Sequence, residues 1–343
     1  MRCAHGILAV LAVTCALALP SPASAQTTKP TYGVATVLEF PTGTRAVGMG
    51  ETGVADNTDP ANIWFNPANV VAPARVYLRG SYWDWSPSDV THSTGSAGGS
   101  WRGTAGSRPV AFGVDFSTGK FGTHTEIITI FLPEGAGETD PAEYFWALTG
   151  GAGVILDDRW DVRVGAAARR YWREGLDGFG FDAGTTVAYR AVASEWQVRP
   201  AAAVAFVNLG SELQETDTFI QKLPARFNYG LSLRIESHAV RVMKASVPLL
   251  AMTCSVDGVD RFYGWESSWS LGSEFALADI LFLRAGTTHD ETLRNWRSAG
   301  SPFSSLGVGL AVPIQSFRLR FDYARMPRLT FPDRYGLYAV VSI

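Results

Sequence analysis

From about residue 109 to the C-terminus the chain keeps a period of two, and no other feature narrows its fold as much. Val110, Phe112, Val114 and Phe116 alternate with Ala111, Gly113, Asp115 and Ser117. Phe179, Phe181, Ala183, Thr185, Val187 and Tyr189 alternate with Gly180, Asp182, Gly184, Thr186, Ala188 and Arg190. Phe227, Tyr229, Leu231, Leu233 and Ile235 oppose Arg226, Asn228, Gly230, Ser232 and Arg234, and Phe317, Leu319, Phe321 and Tyr323 oppose Arg318, Arg320 and Asp322. Successive strand side chains point to opposite faces, so each segment has one apolar face and one small or charged face. Many segments are about twice the roughly 5–6 residues usual in globular sheets. They match the roughly 9–11 residues that a tilted strand needs to cross a bilayer.

Fourteen segments fit: 76–85, 109–118, 123–133, 143–156, 160–173, 179–191, 194–208, 224–236, 238–251, 261–277, 280–290, 302–313, 315–326 and 333–343. Counted back from a periplasmic C-terminus, the links on one side are short: Pro313-Ile314-Gln315, Ala278-Asp279, Ser237, Val192-Ala193 and Asp157-Asp158-Arg159. Longer links around 86–108, 134–142, 209–223, 252–260 and 291–301 fall on the other side, with 174–178 and 327–332 as short exceptions. Short turns on one side and long loops on the other mark outer-membrane barrels. Trp83, Trp85, Trp160, Tyr171, Trp172, Trp196, Trp265, Trp269, Tyr335 and Tyr338 gather near strand ends. Such rings suit a membrane–water boundary. The expected fold is all-β, a transmembrane antiparallel β-barrel of about 14 strands over residues 76–343, in the outer membrane of a Gram-negative-type bacterium.

Residues 1–25 read as a signal peptide. Arg2 precedes an apolar stretch from Ile7 to Leu19, and Ala23-Ser24-Ala25 offers the small residues needed before cleavage. Beyond it no apolar run is long enough for a membrane helix. Only Cys254 remains, in Thr253-Cys254-Ser255-Val256-Asp257-Gly258, which reads as a loop holding an inert thiol. With 29 basic and 32 acidic residues, nothing favours a nucleic-acid partner.

Residues 26–75 are too polar and glycine-rich for lipid-facing strands. Here Arg45-Ala46 with Gly48-Met49-Gly50, then Val54-Ala55-Asp56, then Asn66-Pro67-Ala68 resemble the N-terminal signature of the PorV/PorQ branch of FadL-like outer-membrane proteins. The resemblance continues in Phe206-Val207-Asn208-Leu209-Gly210 with Leu223-Pro224-Ala225-Arg226, and in Gly307-Val308-Gly309-Leu310 with Arg320-Phe321-Asp322-Tyr323-Ala324. It implies a 14-stranded barrel with residues 26–75 as a hatch inside the lumen. Arg45, Gly48, Gly50, Asn66, Pro67 and Ala68 are then hatch residues and a candidate ligand gate. FadL-like transporters pass hydrophobic compounds, whereas PorV-like members serve type IX secretion by holding and handing over secreted proteins.

The inward faces carry Asp115, Asp161, Arg163, Arg169, Asp182, Arg190, Arg226, Arg234, Arg318, Arg320 and Asp322. Both signs together favour paired charges filling a plugged lumen, because an unpaired buried charge is expensive. Gly48-Met49-Gly50-Glu51-Thr52-Gly53 matches the dinucleotide-binding spelling, but Asp56-Asn57-Thr58-Asp59-Pro60 cannot supply the helix it requires. Asp56/Asp59, Asp157/Asp158 and Asp257/Asp260 read as solvated turn residues, and Thr288-His289-Asp290 as a rim rather than a catalytic group. No enzyme, metal or cofactor is expected. The expected function is a non-enzymatic, secretion-associated adaptor, and the alternative is a channel for hydrophobic small molecules. The expected partners are outer-membrane lipids, the barrel-assembly machinery during insertion, secreted proteins or secretion components, and a hydrophobic small molecule in the channel case.

Overall fold

The computed structural model describes residues 35–71, 75–85, 90–123, 142–157, 159–173, 175–193, 195–216, 219–242, 245–262, 267–290, 303–314, 317–325 and 333–341. The signal-peptide segment and residues 26–34 of the expected hatch lie outside the described residues.

A strand with lipid on one side and a polar interior on the other needs the alternation seen in the sequence, and fourteen such strands form one closed antiparallel sheet. They are β1 (Arg75–Trp85), β2 (Val90–Ala105), β3 (Arg108–Thr123), β4 (Glu143–Leu156), β5 (Trp160–Arg173), β6 (Leu176–Tyr189) and β7 (Trp196–Gly210). The ring continues with β8 (Arg226–Glu236), β9 (Leu250–Arg261), β10 (Ser268–Leu277), β11 (Leu281–Asp290), β12 (Phe303–Ile314), β13 (Phe317–Arg325) and β14 (Asp333–Val341). Each strand pairs with its neighbours in chain order. β14 closes the ring on β1, with Val76 opposite Val341 and Trp83 opposite Arg334. Closure satisfies every strand edge, which a bilayer demands.

The exterior is apolar. Leu78, Phe112, Phe116, Leu148, Phe181, Leu283, Leu306 and Phe321 are exposed, while their strand neighbours Arg79, Asp115, Asp182, Arg284, Ser305 and Asp322 are buried. Apolar outside and polar inside is the reverse of a water-soluble protein, and it identifies an outer-membrane barrel. No helix among the described residues is long and apolar enough to cross a membrane. The membrane is crossed by strands.

The even strand count puts the start of β1 and the end of β14 at one end of the barrel. That end also carries the links 106–107, 157–159, 190–195, 237–249, 278–280 and 315–316. The opposite, outer end carries 86–89, 124–142, 174–175, 211–225, 262–267, 291–302 and 326–332.

The expected strand count matches, although two stretches are placed differently. The expected loop 86–108 contains β2, whose Ser, Gly, Thr and Ala residues lack an apolar stripe but pair along both edges with β1 and β3. The segments 109–118 and 123–133 are replaced by one strand, β3; residues 124–133 lie outside the described residues. The expected strand 238–251 is a hairpin at the periplasmic end, Ala239–Val242 with Ala245–Pro248. The expected loop 252–260 is β9, so Cys254 lies on a strand rather than in a loop. Here the inward face is Thr253, Ser255 and Asp257, too polar to read as part of a strand.

Aromatic placement also departs from a simple boundary ring. Trp196 and Trp269 face outward, but Trp83 and Tyr171 are buried inside. Trp83 Nε1 donates to His92 Nδ1 at 2.7 Å and packs edge-on to Phe40.

Residues 35–71 fill the interior. Of those with described side chains, all but Glu39, Phe40, Glu51 and Thr58 are buried. This plug is built of short pieces: a 3-10 turn at Thr36–Leu38, helix α1 (Thr44–Gly48), and 3-10 helices at Pro60–Trp64 and Pro67–Val70. The last two share one local code. Asp59 and Asn66 accept from the amides of Ala61 (2.8 Å) and Ala68 (3.0 Å), and a proline follows each cap.

Candidate functional site: a plugged lumen with two unlike sides

The plug meets the wall through close backbone approach, and glycines make it possible. A Cβ on Gly165 would collide with the backbone of Pro67 and Ala68, and one on Gly286 with that of Met49 and Gly50. Gly50 itself has φ +69°, the left-handed region that glycine adopts freely. Its amide donates to Ser305 Oγ at 2.8 Å, and its carbonyl accepts from Thr288. Gly48 lies against Gly307 and its carbonyl accepts from Ser305 Oγ. The glycine spelling therefore serves a turn pressed on β10–β12, after a five-residue helix rather than a strand.

Amides tie the rest of the plug. Asn66 Nδ2 donates to the Val54 carbonyl (3.1 Å) and to Thr186 Oγ1 on β6 (2.9 Å). Asn69 Nδ2 reaches the carbonyls of Gly53 and Val54, and Asn228 of β8 donates to the Phe65 carbonyl at 2.8 Å. Asp257 of β9 accepts the amides of Gly53 (2.6 Å) and Val54 (2.9 Å). Pro67 and Ala68 contribute backbone shape against β5.

One side of the lumen is a chain of alternating charge. Arg45 of α1 pairs with Asp56 and holds Glu274 of β10 with two nitrogens at 2.8 Å each. Glu274 meets Arg284 of β11 at 2.7 Å, and Arg284 meets Asp322 of β13 at 2.7 Å. Asp322 meets Arg320 at 2.8 Å, and Arg320 returns to Asp59 of the plug. The chain leaves the plug at Arg45, crosses three strands and re-enters at Asp59. Burial works to raise the Asp59 carboxyl, but Arg320 and then Arg45, with the Ala61 amide and Arg79, outweigh it and lower it to about 2. Asp56 and Asp59, expected as solvated turn residues, are buried instead, because these arginines are held opposite them.

The remaining inward charges are placed as follows. Asp115 accepts from Tyr77 (2.8 Å) and Ser117. Asp182 pairs with Arg169 and accepts the Asn208 amide at 2.7 Å. It does so at a bulge where Val207 and Asn208 face Asp182 alone, with Asn208 at φ +59°. Arg226 lies 3.8 Å from Glu39, and Arg234 meets Glu236 at 2.7 Å. Arg318 joins Asp279 at the periplasmic turn, and Arg190 is exposed at a strand end rather than inside. Glu274, Arg284 and Asn228 were missed, although the same inward register marks all three, and Asp257, expected as a solvated turn residue, is buried on β9 because its carboxylate faces the plug amides.

The other side, facing β3–β8, carries an apolar cluster set among the buried charges of Asp115, Arg169–Asp182 and Arg226. Val37, Leu38, Trp64, Phe65, Phe145, Tyr171, Leu176, Leu213 and Leu223 form one cluster, with Phe121 packed on it. Leu213 and Leu223 belong to the link 211–225 at the outer end, while Trp64 and Phe65 belong to the plug. Between the plug at Thr42–Arg45 and the wall at Arg79–Ser81 and Arg320 remains a gap of about 20 Å³, lined by polar groups. Among the described residues no group of three or more His, Cys, Asp or Glu is placed to hold a metal. His289 stacks on Trp269, away from the lumen.

No family model matches the chain, and no curated protein matches it. Solved structures do. The Ralstonia pickettii toluene transporter TbuX aligns with a TM-score of 0.54 at 12% identity, over 88% of this chain and 98% of that one. A Pseudomonas aeruginosa FadL homologue aligns with a TM-score of 0.48 at 11% identity, over 88% and 98%. The Pseudomonas putida toluene transporter TodX gives 0.45 at 11% identity, over 91% and 98%. The chain shares its fold with TbuX and is an outer-membrane β-barrel. The finer PorV/PorQ resemblance finds no counterpart among these structures.

Proposed function

We propose that this barrel passes a hydrophobic small molecule across the outer membrane, entering from the outer end and travelling along the apolar cluster of the lumen to the plug. The observation that carries this is the continuous cluster from Leu213 and Leu223 through Leu176, Tyr171 and Phe145 to Trp64 and Phe65. The asymmetry of the seal supports it. Apolar contacts are non-directional and can re-form around a guest, whereas parting the Arg45–Glu274–Arg284–Asp322 chain strands buried charge. The plug is thus held by buried ion pairs at β10–β13, and toward β4–β8 by neutral and single hydrogen bonds such as Asn66–Thr186 and Asn228–Phe65 beside the apolar cluster, which are the easier contacts to part. The transporters named above act on a molecule of this class, which supports the same reading. Uptake of a radiolabelled monoaromatic hydrocarbon by cells lacking their own FadL-like barrels tests it. The wild-type chain should raise uptake, and Leu213→Glu with Leu223→Glu should abolish the rise. Equal uptake by empty cells would end the transport reading, and full uptake by the double variant would end the route.

A second reading, the PorV/PorQ-type secretion adaptor, draws support from the same charge chain, since a plug fixed at both ends suits a barrel that stays shut. Its protein contacts would use the outer link 209–223, not 252–260, which is a strand. Recovery of stoichiometric secreted proteins in a gentle detergent pull-down would favour it.

A further inference from the structure

At the rim of the outer end, the tips of β4, β5 and β6 border a hollow of about 430 Å³ lined by Trp146, Arg170, Trp172, Arg173, Leu176 and Asp177. Phe145, Ala147, Arg169 and Tyr171 point inward and are buried. Trp146, Arg170 and Trp172 alternate with them and face the membrane side. Arg170 Nε lies 3.1 Å from Asp177 Oδ1, with its guanidinium 6.0 Å from the Trp172 ring and 5.6 Å from the Phe179 ring. Tyr144 stacks on Trp172 at 5.5 Å with planes 12° apart, and Lys120 Nζ sits 5.4 Å over Tyr144. Further from the rim the same outer face turns wholly apolar at Phe116, Leu148 and Phe181, all more than half exposed.

An exposed Arg170–Asp177 pair adds little to stability, so folding does not account for this grouping. Its order along the membrane normal is cation and aromatic at the rim, then bare hydrocarbon, which matches an anionic amphiphile rather than a neutral one. Among the described outward charges of this rim Lys120 and Arg170 outnumber Asp177, and a guanidinium can grip two phosphate oxygens at once. We propose that this hollow binds the phosphorylated sugar headgroup of an outer-leaflet glycolipid, whose acyl chains lie along Phe116, Leu148 and Phe181. Asp177 acts as a placeholder that the phosphate displaces from Arg170.

Native mass spectrometry of the whole barrel in mild detergent, with bisphosphorylated lipid A added, tests the site. Lys120→Gln with Arg170→Gln should lower retained lipid about thirtyfold, on the scale of two cations at an anionic surface. Asp177→Asn should raise it, and a non-phosphorylated lipid of the same chain length should not distinguish the variants. Heat-modifiable gel mobility checks that each barrel is folded, and the Asp177→Asn gain reads the site even if the double variant is not. Equal retention of lipid A by the wild type and the double variant would overturn the proposal. Binding of inorganic phosphate alone, with displacement of the lipid at equal concentration, would overturn it in favour of a free-anion site.

Discussion

At the residue scale the lumen works by pairing. Glu274 serves two arginines on different elements, Arg45 from the plug and Arg284 from the wall. Removing it leaves Arg45 with Asp56 and Arg284 with Asp322 as their remaining carboxylates in the chain, so Glu274→Ala should cost about 3 kcal/mol in reversible unfolding from detergent. Arg170→Gln, on the exposed rim, should cost no more than about 1 kcal/mol. Asp59 adds a pH dependence of known sign. Its carboxyl is lowered from 3.8 to about 2 in the folded barrel. Its stabilisation, about 2 kcal/mol, is therefore complete above the unfolded value and disappears as pH falls from about 4 to 2. Unfolding titrations over that window should show a shallower acid loss for Asp59→Asn than for the wild type.

At the scale of the element, the strands do two jobs on their two faces, and glycine separates those that meet the plug from those that meet lipid. Gly165→Val places a branched side chain where Pro67 and Ala68 already lie. The barrel ring needs nothing from that position, so the variant should still insert but with its plug displaced, raising single-channel conductance in a planar bilayer. Gly150→Val is the matched control on neighbouring β4, because nothing stands within 4 Å of its added Cβ. Its conductance should equal the wild type's. The bulge at Asp182 and Asn208 belongs here too. It breaks the regular register of β6 and β7, which lets one carboxylate meet both Arg169 and a backbone amide.

For the whole molecule, the closed ring and the plug are separable in principle, since the ring's hydrogen bonds run strand to strand from β1 to β14. Deleting residues 35–70 should leave a heat-modifiable barrel that conducts ions steadily, whereas the intact chain should be nearly closed. An unchanged conductance would show that the plug does not seal the lumen. The plug's own pieces are too short to fold alone, as helices of a turn or two are unstable in water. Its shape comes from the wall that surrounds it.

The sequence by itself determined the barrel, its even strand number and, for the strands with an apolar stripe, which face turns inward, because a two-residue period under membrane constraint leaves few alternatives. Val114 out and Asp115 in needs only the pleat. The caps at Asp59-Pro60 and Asn66-Pro67 depend only on neighbours one or two residues away, yet by sequence Asp59 reads as a solvated turn residue and Asn66 as a gate. β2 and β9 were illegible because their inward faces are small and polar, and only pairing with adjacent strands makes them strands. The tertiary structure alone decided that Asp56 and Asp59 are buried, that Trp83 and Tyr171 turn inward, and that a continuous charge chain lies toward β10–β13 and an apolar cluster toward β4–β8. Arg45 and Glu274 lie more than two hundred residues apart, so no local pattern could announce their contact.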